Sequence, residues 1–475
     1  MNTRRLFNLL AILILIALSV TNVYRAKTQS ITCDEAYSYQ LWISQPLSRM
    51  FVDYDAGNHV LQTLLAKVFV AIFGLSEFTL RLPTLIAGFL YFTAIYCICR
   101  LVFGEAGLFL LSVCVLSLNP LLLDLLSAAR GYALALALCI WALYYMLKGP
   151  PHSPYDLLRL AILLALSVSS NVTFLFVDSG LACLFMVALL ASSRDKMVRV
   201  ALQAATYFII PGIVLTLILI GGTMRNGHRM AFYFGLPSLA RSAASLVHVS
   251  LMHHHYYNRL DPLENFLSAW FIPAILLLAG FLWIAAVHKR AFLKQQPDRF
   301  LFFCAGALLF SIASSYGAYK TAGLLYPVTR TGLPWIVFFL LTCLGLATTR
   351  IIRWPVLLFL LGSVFWFACQ LNVSEYSEWS YDAGTKRIVS VLQRQHQAEP
   401  DKNWQVSVSW MLLPSLNFYK SLDHLDWFQP FDIRNGTAGF TRFVLAEKDT
   451  QLVQTLHLST SYVDPVSGEV LAARQ

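Results

Sequence analysis

The chain has 475 residues, of which 57% are hydrophobic and only 13% are charged. Soluble domains are about one quarter charged, so the long apolar stretches indicate that lipid surrounds most of the chain. The net charge of +10 comes from basic residues between those stretches that form no long basic run, which argues against a nucleic-acid-binding protein. The nine cysteines form no CxxC motif, so neither a disulfide framework nor a structural zinc is expected.

The first apolar run extends from Leu6 to Val23 and follows Arg4 and Arg5. It could be a cleaved signal peptide, but no convincing small-x-small cleavage site follows it. We therefore predict an uncleaved membrane anchor with a cytoplasmic N-terminus, so that the chain from Thr28 onward emerges on the outer side.

Further predicted spans lie near 83–101, 106–122, 130–147, 157–170, 172–191, 200–222, 266–287, 300–317, 332–348 and 354–371. The stretch 157–191 could instead be one long span. Two spans place basic residues in every predicted inner loop, as the positive-inside rule expects, whereas one span would put the basic clusters 194–199 and 288–299 outside. We therefore predict two spans here and about eleven transmembrane helices in all.

The tail from Asn372 onward is external in this topology. Its residue pattern predicts one helix and two strands, at 386–395, 405–410 and 440–446. The sequence thus predicts a membrane domain over 1–371 and a small α/β domain over 372–475.

The first external loop, 24–82, contains two features of interest. Asp34 and Glu35 form a carboxylate pair just outside the bilayer, which suits base chemistry or cation binding but equally suits the solvated start of a helix. Residues 58–73 place polar and apolar side chains on opposite helix faces, which predicts an amphipathic helix lying in the membrane interface.

Four segments of this region carry a family resemblance: Asp34-Glu35-Ala36-Tyr37, Gly57-Asn58-His59, Phe73 to Pro83, and Ser127 to Leu134. Together they resemble the integral membrane glycosyltransferases of the GT-C superfamily, especially protein O-mannosyltransferases, lipid A aminoarabinose transferases and their bacterial mannosyltransferase-like relatives. The match covers residues 30–150, and beyond them only the hydropathy profile and Arg330 continue it.

The chain departs from the relatives at two places. Val60 and Leu61 follow His59 where relatives usually have prolines, and Ala129 stands where they often have a glutamate. The first departure could simply move the start of a helix, whereas the second removes a possible acid from the site.

The resemblance implies a polyprenyl-phosphate sugar as donor and a hydroxyl of a glycan, lipid or protein as acceptor, at the outer face of a bacterial inner membrane. It implies an α-helical polytopic fold of GT-C type, with external interfacial helices and a periplasmic α/β domain. Asp34 matches the catalytic aspartate of the family and is the predicted base. Glu35 is the second candidate, or a partner that orients Asp34.

Each predicted substrate-binding residue has more than one possible role. Arg130 and Arg330 lie at outer ends of spans, where each would bind the donor phosphate or simply extend to the interface, and Lys320 is a weaker companion. His59 would bind the phosphate, hydrogen-bond a sugar, or cap a helix. The predicted set is completed by Asn58 and Tyr132.

Relatives differ in their use of a divalent ion such as Mg²⁺ or Mn²⁺, so a metal dependence stays open. The basic external loop 223–265 contains His228, Arg229, Arg259 and the run His253-His254-His255. Three consecutive residues cannot all face one ion on a helix, and no carboxylate pair accompanies them at ligand spacing. We predict contact with an anionic substrate or lipid headgroup there, and no metal site.

Two other classes compete with a glycosyltransferase: a transporter or flippase of lipid-linked saccharides, and a non-catalytic membrane scaffold. Against the transporter, few charges fall within the spans, and neither broken helices nor paired half-repeats are evident. Asp124 and Asp178 are the main intramembrane candidates, both near outer ends. A scaffold would tolerate loss of Asp34.

Overall fold

The computed structural model describes residues 3–51, 55, 57–193, 196–225, 234–251, 261–350, 352–400 and 403–474. Within these ranges the chain is a bundle of helices followed by one small sheet. The loop residues singled out above, His228, Arg229, His253, His254, His255 and Arg259, lie outside the described residues.

The helices of the first half are α1 Thr3–Thr28, α2 Cys33–Ser38, α3 Val60–Phe73, α4 Glu77–Val102, α5 Ala106–Ser117, α6 Pro120–Leu125, α7 Tyr132–Leu147, α8 Pro154–Ser170, α9 Leu175–Ser192, α10 Met197–Ala204 and α11 Ile210–Arg225. Those of the second half are α12 Leu239–Leu251, α13 Asp261–Phe266, α14 Ile272–His288, α15 Gln296–Ala322, α16 Leu333–Leu346, α17 Arg353–Cys369, α18 Thr385–Gln397, α19 Leu413–Leu422 and α20 Gln451–Thr455. Short π-helical segments connect α10 to α11 and α13 to α14.

Seven helical stretches in the described part of the chain are long and apolar enough to cross a membrane. They are Thr3–Thr28, Glu77–Val102, Val172–Ser192, Met197–Gly222, Pro262–His288, Gln296–Ala322 and Thr329–Leu346. On α14 the large apolar side chains Leu277 and Phe281 are 77% and 70% exposed, which only a lipid surrounding would favour. The predicted polytopic helical membrane fold with a small C-terminal α/β unit is confirmed.

Helix breaks follow local sequence signals. The stretch 157–191 forms two helices as predicted, because the Asn171 side chain accepts from Thr173 N at 3.0 Å and starts a new helical turn. The stretch 106–122, predicted as one span, is instead broken into α5 and α6. Asn119 caps α6 by accepting from Leu122 N at 3.1 Å, and Pro120 occupies its first position.

The tail contains a five-stranded sheet in the order β2-β1-β3-β5-β4. Its strands are β1 Trp404–Val408, β2 Phe428–Asp432, β3 Arg442–Leu445, β4 Leu458–Val463 and β5 Val470–Arg474. β1 is parallel to both β2 and β3, and β5 is antiparallel to β3 and β4. The predicted helix 386–395 and strands 405–410 and 440–446 correspond to α18, β1 and β3, whereas β2, β4, β5 and α19 were not predicted.

The tail packs directly onto the segment 24–82. The Tyr419 hydroxyl of α19 accepts from Ile31 N at 2.9 Å, and Lys386 pairs with Glu77 at 2.8 Å. Asp382 accepts from the backbone N of Cys33, at the start of α2, and from Ser415 at 2.9 Å. The two parts of the chain therefore share one polar interface around α2.

Candidate active site

Helix α2 begins with a capping box that determines where its two acidic residues point. Thr32 accepts from Glu35 N at 3.2 Å, and Glu35 accepts in return from Thr32 N at 2.9 Å. Successive helical residues project about 100° apart, so Asp34 and Glu35 face different surroundings.

Glu35 lies in a completely buried ion pair. Arg81 donates to its two carboxylate oxygens at 2.8 and 2.7 Å, and Ala129 N donates as well. Both side chains are 0% exposed. Burial by itself would raise the pKa of Glu35, but Arg81 and the backbone donors hold that pKa below its usual value.

This geometry corrects the prediction of Glu35 as a second base. A carboxylate with no exposure and with bonds to a guanidinium and two backbone N–H groups has no route to a substrate proton. Glu35 instead ties the first loop to α4 and to the turn before α7.

Asp34 faces the other way and meets two arginines. Arg330 donates to its carboxylate at 2.9 Å, and an Arg130 nitrogen lies 3.7 Å from the same oxygen. The Asp34 side chain remains 24% exposed. Burial would raise the pKa of Asp34, but Arg130 and Arg330 lower it below its usual value, so Asp34 is ionised at neutral pH.

Arg130 is buried, with its side chain 6% exposed, rather than extended into the interface. It donates to the Asp34 carbonyl oxygen at 3.2 Å and to the Ser38 hydroxyl at 2.8 Å. Its Nε–H has no hydrogen-bond partner among the described residues. The position therefore offers a buried positive charge with one donor still unused.

Arg330 lies in a short 3-10 turn, Thr329–Gly332, immediately before α16. Besides Asp34 it bonds to Glu378 at 3.0 Å, and its guanidinium lies 4.9 Å from the Phe234 ring centre and 5.1 Å from that of Trp379. The preceding Thr329 has φ +44°, a left-handed conformation that is costly for a β-branched residue. The strained turn and the two aromatic rings fix the direction of the guanidinium.

Sequence reasoning missed Glu378 and Trp379, which come from the tail. Their segment is held by a buried pair of Arg25 and Asp124, since Arg25 donates to Glu375 O at 2.9 Å and Asp124 accepts from Ser377 N at 2.7 Å. The available signal was the cluster of aromatic and acidic residues directly after the last span, from Glu375 to Asp382.

Of the other predicted substrate contacts, His59 and Tyr132 lie near the arginines, whereas Asn58 bonds to the loop backbone. His59 and Tyr132 are buried with ring centres 5.4 Å apart, and Arg130 and Arg330 act electrostatically on both. Asn58 instead donates to Met50 O at 2.9 Å and so supports the loop.

Lys320 was predicted as a weaker substrate contact, and the structure contradicts that prediction. It lies apart from the cluster formed by Asp34, Arg130 and Arg330. It is exposed near the end of α15, with its ammonium 5.7 Å from the Tyr316 ring centre, and no contact with Asp34 or Arg330 is present.

The charges around Asp34 suit an anion rather than a metal ion. The described residues contain no group of three or more His, Cys, Asp or Glu able to hold a metal. Asp34 and Glu378 each already face a guanidinium, which would repel a divalent cation.

The described residues also form a large apolar cavity of about 650 Å³. It is formed between α12, α14, α16 and α17, with Leu246, Trp335 and Phe339 among its lining residues. Helix α12 is bound to the Arg330 turn, since Ser245 accepts from Thr329 N at 3.1 Å and Ser242 donates to Pro327 O. Helix α12, which lines the cavity, therefore also contacts the turn that holds Arg330.

The helical membrane fold is similar to that of GT-C proteins of known structure, as the sequence predicted. ArnT from Cupriavidus metallidurans in the apo state aligns with a TM-score of 0.50 and 13% identity over 98% of each chain. ArnT bound to undecaprenyl phosphate aligns at 0.44 and 14% identity over 98% of each chain. AglB from Archaeoglobus fulgidus, with an inhibitory peptide and a dolichol-phosphate, aligns at 0.45 and 13% identity over 98% of this chain and 74% of that one.

ArnT and AglB are GT-C glycosyltransferases. At 13% identity the apo ArnT alignment establishes the fold alone. No protein-family model matches the chain, and no curated protein matches its sequence.

Proposed function

We propose that this protein transfers a sugar from a polyprenyl-phosphate donor to a hydroxyl acceptor at the outer face of a bacterial inner membrane. The observation that carries the proposal is the meeting of Arg130, Arg330 and Asp34, with Arg330 in a turn that is bonded to a helix of the large apolar cavity. Such a donor has an apolar tail, an anionic phosphate and a sugar, and each finds a matching environment. The shared fold with ArnT, a glycosyltransferase, agrees with this class of reaction.

The two arginines are assigned to the donor phosphate. Arg130 has a buried, unpartnered Nε–H among the described residues, and a phosphate oxygen would satisfy it. The turn that holds Arg330 is bonded to α12 and leads into α16, and both helices line the cavity. A phosphate on Arg330 would therefore direct the prenyl tail between α12 and α16. The cavity volume is within the range of pockets that bury apolar ligands.

Asp34 is assigned as the base. The acceptor hydroxyl attacks the anomeric carbon, its oxygen forms the new glycosidic bond, and its proton passes to the Asp34 carboxylate. The bond between the anomeric carbon and the phosphate oxygen breaks, and the lipid phosphate leaves with the electron pair. Arg130 and Arg330 stabilise the charge that grows on that phosphate.

Donor binding would also make Asp34 a stronger base. In the structure Arg130 and Arg330 depress its pKa. A bound phosphate shares those guanidinium donors and brings a negative charge close to Asp34, and both effects raise the pKa of a carboxyl group. Proton transfer is thereby favoured only when the donor is in place.

The test is turnover by the full-length protein in proteoliposomes. Radiolabelled undecaprenyl-phosphate sugars are supplied with bacterial lipid and glycan acceptors, and the expected result is label moving to an acceptor with release of undecaprenyl phosphate. Lys320→Ala serves as the matched control, since Lys320 lies outside the cluster and its loss should leave turnover unchanged. Label that crosses the bilayer while remaining on its lipid would instead identify a flippase.

A further inference from the structure

His59 is a buried side chain with one unused nitrogen. The residue is 6% exposed and lies at the start of α3. The Ser170 carbonyl lies close to the ring, on the side of Gly131, while Nε2 has no hydrogen-bond partner among the described residues. The nitrogen that faces Ser170 is therefore Nδ1. Buried polar atoms are nearly always partnered, so a bare Nε2 indicates a ligand atom.

The ring orientation is fixed by close packing around Gly131. A side chain at Gly131 would collide with the Ser170 carbonyl and would bring its Cβ within 2.8 Å of His59 Cβ. Only glycine leaves room for Ser170 and His59 to meet. The ring cannot turn Nε2 toward Ser170 without losing this contact.

Hydrogen-bond chemistry then decides what Nε2 can bind. A carbonyl oxygen only accepts, so Nδ1 must carry the hydrogen, and Nε2 of the neutral ring presents a lone pair. Burial, together with Arg130 and Arg330, lowers the pKa of His59 well below its usual value, so the ring stays neutral. A neutral Nε2 can accept from a hydroxyl, but it has no hydrogen to give to a phosphate oxygen.

We propose that His59 Nε2 accepts a hydrogen bond from a hydroxyl of the transferred sugar, which makes His59 a specificity-determining residue. The inference rests on the proposed function, because it requires the phosphate of the same donor on Arg130 and Arg330. It separates the roles within the cluster: arginines hold the phosphate, and His59 recognises the sugar. A sugar lacking the matching hydroxyl would leave Nε2 buried and unpaired, which disfavours that substrate.

Two substitutions test the roles of the two ring nitrogens of His59 separately. Asn places its amide nitrogen where Nδ1 lies, so His59→Asn keeps the bond to Ser170 and removes the Nε2 acceptor. Gln reaches one bond further, so His59→Gln retains an acceptor at the Nε2 position. The measured quantity is the affinity of the full-length protein in nanodiscs, without acceptor, for undecaprenyl phosphate and for undecaprenyl phosphate carrying mannose, glucose, galactose or arabinose.

We expect at least one sugar to strengthen binding over undecaprenyl phosphate alone. That gain should fall about 3- to 10-fold in His59→Asn and largely persist in His59→Gln, as for one uncharged hydrogen bond. Affinity for undecaprenyl phosphate itself should be unchanged in both variants. As an independent readout, the ¹⁵N spectrum of the ligand-free protein should show His59 as the neutral tautomer with hydrogen on Nδ1.

Several results would overturn the inference. If His59→Asn weakened the binding of undecaprenyl phosphate as much as that of the sugar-carrying lipid, His59 would contact the phosphate. If the affinity gained from the sugar were unchanged in His59→Asn, His59 would not contact the sugar. A transfer defect with normal donor binding would assign the hydroxyl to the acceptor, and the absence of any sugar gain would also count against the inference. A wild-type protein that binds no lipid phosphate at all would instead contradict the proposed function.

Discussion

Asp34 and Glu35 are neighbours of similar chemistry, yet the structure gives them opposite surroundings. Glu35 is 0% exposed and shares a two-pronged bond with one arginine and further bonds with backbone N–H groups. Asp34 is 24% exposed and faces two arginines, one of which is itself shared with Glu378. The first pair has no place for another molecule, whereas the second can exchange partners.

This difference separates a structural carboxylate from a functional one. Both have a lowered pKa, so titration alone would not distinguish them. What distinguishes them is access, together with unused hydrogen-bonding groups on Arg130 and His59 nearby. An ion pair with every group satisfied contributes to folding, and one with vacant donors beside a cavity is suited to binding.

The largest expected effect tests the Asp34 side of this comparison. Asp34→Asn keeps the shape of the side chain and removes its basicity, so transfer should fall by about 10²–10⁴. The protein should remain folded, and donor binding should not weaken, because Asp34 itself competes with the phosphate for Arg330. The measurement is initial transfer rate with a working donor and acceptor, and full activity would end the assignment of Asp34 as base.

The structural role of Glu35 is tested by replacing its partner Arg81. Arg81→Met leaves a buried carboxylate without its guanidinium, which should cost about 3–5 kcal/mol of stability. Denaturant unfolding in micelles measures it. A smaller loss for the double variant Arg81→Met with Glu35→Leu would show that the unpaired charge is the cause, and a stable single variant would contradict the structural role.

The same pair predicts a pH dependence. The pKa of Glu35 is lowered in the folded protein, so its contribution to stability is complete above the unfolded value of about 4.3. That contribution is lost as the pH falls through the lower, folded value. The stability difference between wild type and Glu35→Gln should therefore shrink on acidification, and a constant difference down to low pH would refute the shift.

The phosphate assignment predicts an intermediate effect. Arg130→Ala and Arg330→Ala should each weaken binding of undecaprenyl phosphate by about 1.5–3 kcal/mol, as for hydrogen bonds to charged groups. Lysine at either position should restore only part of the affinity, because an ammonium cannot form a two-pronged contact. Equilibrium binding to nanodiscs is the assay. Wild-type affinity in both alanine variants would make these arginines structural.

The smallest effect concerns Glu378, which occupies one prong of Arg330 at 3.0 Å. An incoming phosphate must compete with this carboxylate, so Glu378→Gln should tighten undecaprenyl phosphate binding by a few-fold, on the order of 1 kcal/mol. Glu447→Gln, on the exposed side of the tail, is the matched control. Weaker binding in Glu378→Gln would show that Glu378 orients Arg330 rather than competing for it.

Composition and hydrophobic periodicity were enough to predict much of the helical membrane fold. Apolar runs located the helices of the membrane domain. A segment that crosses lipid needs an apolar surface over the bilayer thickness, and its backbone N–H and C=O groups must be hydrogen-bonded within the helix. Capping residues such as Asn171 marked real helix ends. The family resemblance also made Asp34, His59, Arg130 and Arg330 candidates, and the structure places these four together.

Only the tertiary structure decided which of two adjacent carboxylates meets Arg330 and stays partly exposed, because that depends on where Arg81 and Arg330 lie in distant segments. It also brought Glu378 and Trp379 into the site from the tail, and it left Lys320 outside. Sequence periodicity reports which face of an element is apolar, but not which other element covers that face. The partners of each charge are set by contacts between segments hundreds of residues apart, such as the bond between Asp34 and Arg330.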